Sequence, residues 1–101
     1  MEITKMLTLS TAHISKETAM LLVESNDKIE FSLSTYQKNW RNFNYGWFIH
    51  VPEELKEYPE AYFDVPNDLM KCLLFAKDLE CELLCLDEDG EILDYLEKFD
   101  W

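Results

Sequence analysis

The chain has 101 residues, a formal charge of -12, and 48% hydrophobic and 14% aromatic content, which makes one domain with enough apolar side chain for a core and excludes an acidic disordered tail. Acidity of this size disfavours direct binding to nucleic acid or to an anionic membrane, because phosphate attracts the opposite sign. With no apolar run of about 18 residues, no basic-then-apolar start and an odd number of cysteines, the expectation is a cytoplasmic protein with reduced, buried thiols.

In chain order, Ile3, Leu7 and Leu9 fall on one side at period two, which predicts strand one over residues 3–9. Ser15, followed by Lys16, Glu17 and Thr18, reads as an N-cap with an acid in the first turn. Helix one then carries Ala19, Met20, Leu21, Leu22 and Val23 and ends near Ser25 and Asn26. Ile29, Phe31 and Leu33 alternate with Glu30, Ser32 and Ser34, which predicts strand two. A polar stretch with Lys38, Asn39, Arg41, Asn42 and Asn44 leads to strand three, where Tyr45, Trp47, Ile49 and Val51 alternate, so strands two and three form a hairpin with a long tip. Pro52 ends strand three, and residues 53–64, with Pro59 among them, form an acidic loop with room for one helical turn. Pro66, Asn67 and Asp68 start helix two, whose Leu69, Cys72, Leu73 and Ala76 recur at helical spacing up to about Leu79. Residues 81–86 are an apolar run read as strand four, and a turn from Asp87 to Gly90 follows, with Gly90 expected to supply positive φ. Ile92, Leu93, Tyr95, Leu96, Phe99 and Trp101 make a tail apolar enough to pack back on the domain.

The expected fold is therefore a single acidic α+β domain over residues 1–101. It is a two-layer β-α-β-β-α-β arrangement of the ferredoxin-like, split βαβ kind, with a four-stranded antiparallel sheet and two helices on one face. On strands three and four the alternation is read as Phe48, Leu84 and Leu86 on one face and Trp47, Ile49, Leu83 and Cys85 on the other. The face away from the helices is then covered by the tail or by a partner, and a homodimer joined across it is one expectation.

Three stretches stand out: Ser10, Thr11, Ala12, His13 and Ile14; Tyr45, Gly46 and Trp47 through Val51 and Pro52; and Cys81, Leu86, Asp87, Asp89 and Gly90 with the closing Asp100 and Trp101. Together they resemble a family of short bacterial proteins that is catalogued as a domain of unknown function and is often found on mobile elements. The resemblance implies a phage, plasmid or commensal-bacterial setting and no active site.

Chemistry-bearing patterns are sparse. Cys81 and Cys85, two pleats apart on a strand, would sit about 13 Å from each other, too far to share a metal, so Cys72, Cys81 and Cys85 are read as core and no metal or cofactor is expected. Asp87, Glu88, Asp89, Gly90 and Glu91 echo part of a calcium loop, but with Gly90 at its sixth position the first and twelfth ligands would be Cys85 and Leu96, so a plain turn is expected. His13 and His50 have no nucleophile at a telling spacing, and with two glycines in the chain a phosphate cradle is not expected, so the reading is non-catalytic.

The charge is uneven. Residues 1–52 hold five acids and five bases, whereas residues 53–101 hold sixteen acids against Lys56, Lys71, Lys77 and Lys98 and so carry the whole -12. The candidate partner surface is accordingly acidic: Glu53, Glu54, Glu57, Glu60 and Asp64, together with Asp87, Glu88, Asp89 and Glu91. Such a surface imitates nucleic-acid phosphate and fits a basic protein, which makes an inhibitor of a nuclease or other host-defence protein the sharpest expectation. Trp40 and Phe43, at the hairpin tip, are the candidate aromatic anchors, while Trp47 is read as core.

Overall fold

The computed structural model describes residues 4–25, 32–33, 35–37 and 46–99. Strand β1 (Met6–Ser10) runs into a 3-10 turn (Thr11–His13) and helix α1 (Lys16–Ser25). Strands β2 (Thr35–Gln37) and β3 (Gly46–His50) follow, then a second 3-10 turn (Pro59–Tyr62), helix α2 (Asn67–Asp78) and strand β4 (Leu83–Asp87). The predicted order of elements holds, but strand two does not lie where the alternation puts it. Ser32 and Leu33 form a bend, the segment that pairs with β3 is Thr35–Gln37, and residues 29–31 lie outside the described residues.

The sheet corrects the ferredoxin-like, all-antiparallel expectation. Its order is β1-β4-β3-β2, and β1 pairs with β4 in parallel while β4–β3 and β3–β2 are antiparallel. A mixed body of three five-residue strands thus carries the three-residue β2 on one edge. A split βαβ would seat β1 in the interior; here β4 takes that place. The reason lies in burial. Leu84, Cys85 and Leu86 are consecutive and all buried, as a strand covered on both faces must be, whereas β1 exposes Met6 and Thr8, as an edge can.

Register also corrects the face assignment. Trp47 pairs with Leu86 and Ile49 with Leu84, and Leu84 and Leu86 pair in turn with Leu7 and Leu9, so these side chains share the face toward the helices. Phe48, opposite Cys85, belongs to the other face with Leu83, His50, Met6 and Thr8. Ala19 and Leu22 of α1 and Leu69, Cys72, Leu73 and Ala76 of α2 close one core over Leu9, Trp47, Ile49, Leu84 and Leu86. The helical spacing of the α2 set is what lets one stripe of that helix do this. Leu93 and Leu96 pack against the same core, and the Phe75 and Tyr95 rings lie 5.3 Å apart, so the described part of the tail sits on the helix side.

Helix α1 begins as the cap signature predicts, with the Thr18 N–H donating to Ser15 Oγ at 3.2 Å. A second cap comes from far along the chain: the Asp68 carboxylate accepts the Ser15 N–H at 2.7 Å and the buried Thr18 hydroxyl at 2.8 Å. A carboxylate at a helix N-terminus meets unpaired N–H groups and the positive end of the helix dipole, so Asp68 ties the starts of the two helices together.

The other end of α2 closes with a residue that is unusual there. Cys81 N–H reaches Ala76 O and Glu80 N–H reaches Lys77 O, both at 2.9 Å, the two bonds of a Schellman cap, and Glu80 stands at the left-handed position with φ 61°. Lys5 Nζ completes the end by donating to Leu79 O at 2.6 Å. A Cβ is costly in this conformation, so Glu80→Gly is expected to stabilise the fold by about 1 kcal/mol, read as a raised denaturant midpoint with an unchanged slope.

Candidate functional site

The acidic loop leaves the sheet at the His50 end, where the Val51 N–H bonds Glu82 O at 2.8 Å, and it is held by its own turns. Tyr58 N–H returns to Glu54 O at 2.9 Å, Ala61 N–H to Tyr58 O at 3.0 Å and Val65 N–H to Tyr62 O at 3.1 Å. Leu55, fully buried, and Val65 pin this arm to the core. Between these two points Tyr62 also packs against the core, while residues 56–61 and 63 are exposed. Glu53, Glu54, Glu57 and Glu60 are all exposed, and none of their carboxylates has a hydrogen-bond or ion-pair partner among the described residues. Lys56, which interrupts them, is drawn away into a pair with Asp78.

Two side chains missed by sequence reasoning stand on this arm. Phe63 is 87% exposed and Tyr58 53% exposed. A single exposed apolar residue is ordinary, but a phenylalanine left almost wholly in water on an arm of unpaired carboxylates is not. The signal was present as aromatics in an acidic loop with no periodic partners. Beneath the arm an open groove of about 310 Å³ is lined by Ser32, His50, Pro52, Glu53, Glu54 and Tyr62.

The remaining predicted acids are placed differently. Asp64 accepts the Ser32 N–H at 2.9 Å and also the Ser32 hydroxyl, so its carboxylate serves as a clasp. Asp87 accepts the Asp89 N–H at 2.9 Å and closes the turn with the Gly90 N–H on its carbonyl, also at 2.9 Å. Glu88, Asp89 and Glu91 are exposed. They follow the end of β4 where Asp87 pairs with Gly46, whereas the arm leaves where Leu83 pairs with His50. The length of the strand, about 13 Å, lies between the two acidic groups. Trp40 and Phe43 lie outside the described residues.

The histidines and cysteines serve other ends. His13 is buried, and its ring is spent on backbone: Nε2 accepts the Leu93 N–H at 2.9 Å, so the proton is on Nδ1, which donates to Glu97 O at 2.8 Å. His50 is exposed and lines the groove. Cys72, Cys81 and Cys85 are free and buried, and among the described residues no group of three histidine, cysteine or acidic side chains could hold a metal ion.

Burial, and after it the negative charge of Asp68, pushes the Cys72 thiol from 9.0 up to about 12. A thiol held protonated is a poor nucleophile. It also makes stability depend on pH, because the unfolded thiol ionises first. The contribution is intact below the unfolded value of 9.0 and is lost as pH rises from there through about 12. Denaturant midpoints taken from about pH 8 to about pH 11 should therefore fall more steeply for the wild type than for Cys72→Ala, and parallel slopes would assign the alkaline loss to other groups.

Among the described residues no helix is long and apolar enough to cross a membrane. A family model described as the C-terminal domain of a family of unknown function, DUF5983, matches residues 6–101. No curated protein and no solved structure matches the chain.

Proposed function

The chain belongs to this family of unknown function, and we propose that it is a non-catalytic, cytoplasmic protein-binding module that engages a basic protein surface through the arm of residues 53–63. The observation that carries the reading is Phe63, 87% exposed, on the same arm as four carboxylates without partners. Binding energy concentrates in aromatic anchors that become buried, while charge sets the rate of encounter and the choice of partner. The groove under the arm, with Glu53, Glu54 and Tyr62 in its walls, suits a lysine or arginine side chain, which two carboxylates attract and an aromatic ring can flank. A non-catalytic role fits a His13 ring spent on backbone and a Cys72 thiol held protonated.

In its specific form the partner is a nuclease or another host-defence protein that handles nucleic acid, inhibited in a phage or mobile-element setting by an acidic arm lying in its basic groove. The arm acts alone in this reading, because Glu88, Asp89 and Glu91 stand at the far end of the sheet.

The test is capture from a bacterial lysate on immobilised protein. Three variants accompany the wild type: one with Glu53, Glu54, Glu57 and Glu60 changed to glutamine, Phe63→Ala, and a control with Glu88 and Glu91 changed to glutamine and Asp89 to asparagine. The expected result is a basic, nucleic-acid-binding protein that is released by salt and by added duplex DNA, lost with the first two variants and kept by the third. Retention by the glutamine variant and by Phe63→Ala would sink the proposal.

A further inference from the structure

We infer that the outer edge of β1 seats a second copy of this chain, added antiparallel about a twofold axis beside Met6, so that the two sheets become one. The argument starts from which backbone groups of β1 are used. Lys5 O accepts the N–H groups of Glu82 and Leu83 at 2.9 and 3.2 Å, so residue 5 points its backbone toward β4, and by alternation so do Leu7 and Leu9. Met6, Thr8 and Ser10 therefore point outward. Ser10 is already satisfied, its N–H donating to Glu91 O at 2.9 Å where Glu91 bridges Leu9. Below that bridge the N–H and C=O of Met6 and the N–H of Thr8 have no partner among the described residues. Met6 is 46% exposed, and Thr4 and Thr8 are exposed too. A bare edge of this kind is a template for another strand.

The pattern selects a copy of the same strand. A free donor and a free acceptor on one residue are self-complementary, because a hydrogen-bonded antiparallel pair exchanges both bonds between two facing residues. With Met6 facing itself across the axis, the Thr8 N–H of each copy meets the Thr4 carbonyl of the other, and the contact is isologous.

Charge supports the same occupant. A chain whose residues 53–101 carry the whole net charge of -12 repels its own copy through that half, but residues 4–14 contain no carboxylate. Their one lysine, Lys5, is turned back onto Leu79 O. An antiparallel arrangement also sends the two Glu91 side chains to opposite ends of the joint, where a parallel one would set them side by side. The edge of β1 is thus a place where two such chains can meet without like charges opposed.

Mass measured by light scattering on a sizing column tests this. The wild type is expected to run at twice the monomer mass. Thr8→Pro removes an outward N–H and leaves the inner ladder, carried by Leu7 and Leu9, intact; an edge strand accepts such a proline. It is expected to halve the mass while keeping the cooperative unfolding of the wild type. Met6→Lys, which leaves the backbone untouched, is expected to give monomer by setting two ammonium groups at the axis, and mixing it with Met6→Glu is expected to restore the doubled mass. A wild type that stays monomeric at millimolar concentration, or a doubled mass indifferent to both Thr8→Pro and Met6→Lys, overturns the inference, the latter outcome pointing to a joint elsewhere. Capture of a basic partner through the arm does not depend on either result.

Discussion

Gly90→Ala is expected to lower stability by about 3 kcal/mol or more, which in a domain of this size is a fall in melting temperature of roughly 15 °C. The cause is contact, and the expected positive φ is absent, since among the described residues no glycine has one. A Cβ built on Gly90 would lie 2.4 Å from both the carbonyl carbon and the oxygen of Leu9, and 2.8 Å from the nitrogen of Ser10. All three are backbone atoms of β1, which is fixed by its ladder to β4. No rotamer change can relieve the overlap. The closeness follows from the path of the chain, which leaves β4 at Asp87, turns, crosses over the end of β1 and pairs Glu91 on the outer side of Leu9. A scanning-calorimetry comparison with Glu88→Ala, in the same turn but exposed, separates the effects. If Gly90→Ala melts within a few degrees of that control, the crossing is looser than the contacts imply.

That crossing marks the limit of what local pattern can reveal. The cap at Ser15, the apolar stripe of α2 and the burial of Trp47 were legible because each depends on neighbours in sequence. Strand order was not, because pairing is settled between residues far apart, and alternation shows only that a strand has two faces. One clue was available. The uninterrupted apolar run around Leu84, Cys85 and Leu86 is the mark of an interior strand, and it would have seated β4 in the middle and left β1 to an edge. Asp68 is a harder case. As an acid in the first turn of α2 it looks like a cap for its own helix, and nothing nearby in sequence shows that it binds Ser15 and Thr18 of the other. The acidic arm was legible as charge. Sequence points to anchors at Trp40 and Phe43, outside the described residues, whereas the exposed Tyr58 and Phe63 read from sequence as loop residues. Exposure of an aromatic residue is a fact of packing, and composition does not contain it.

The second large effect is expected at His13. Its imidazole is the clasp that holds the tail: Nε2 takes the Leu93 N–H, Nδ1–H reaches Glu97 O, and close by the Phe99 N–H donates to Ala12 O at 2.7 Å. His13→Ala removes a buried side chain and leaves two tail groups without partners, so a loss of about 3 kcal/mol is expected. His13→Phe separates packing from bonding, because it keeps an apolar ring in place and loses both bonds. If bonding dominates, the two variants should show the same early event, which is fast hydrogen exchange at the Leu93 amide while the amides of β4 stay protected. The tail would open before the domain does, since Leu93 and Leu96 lie at the border of the core while Leu84 and Leu86 lie inside it. Should His13→Phe protect Leu93 as well as the wild type does, the histidine is filling space and the bonds contribute little. Should exchange at Leu93 and at β4 rise together in both variants, the tail is an inseparable part of the core. Either result would also bear on function, because a histidine spent on holding the tail is not free to serve as a base.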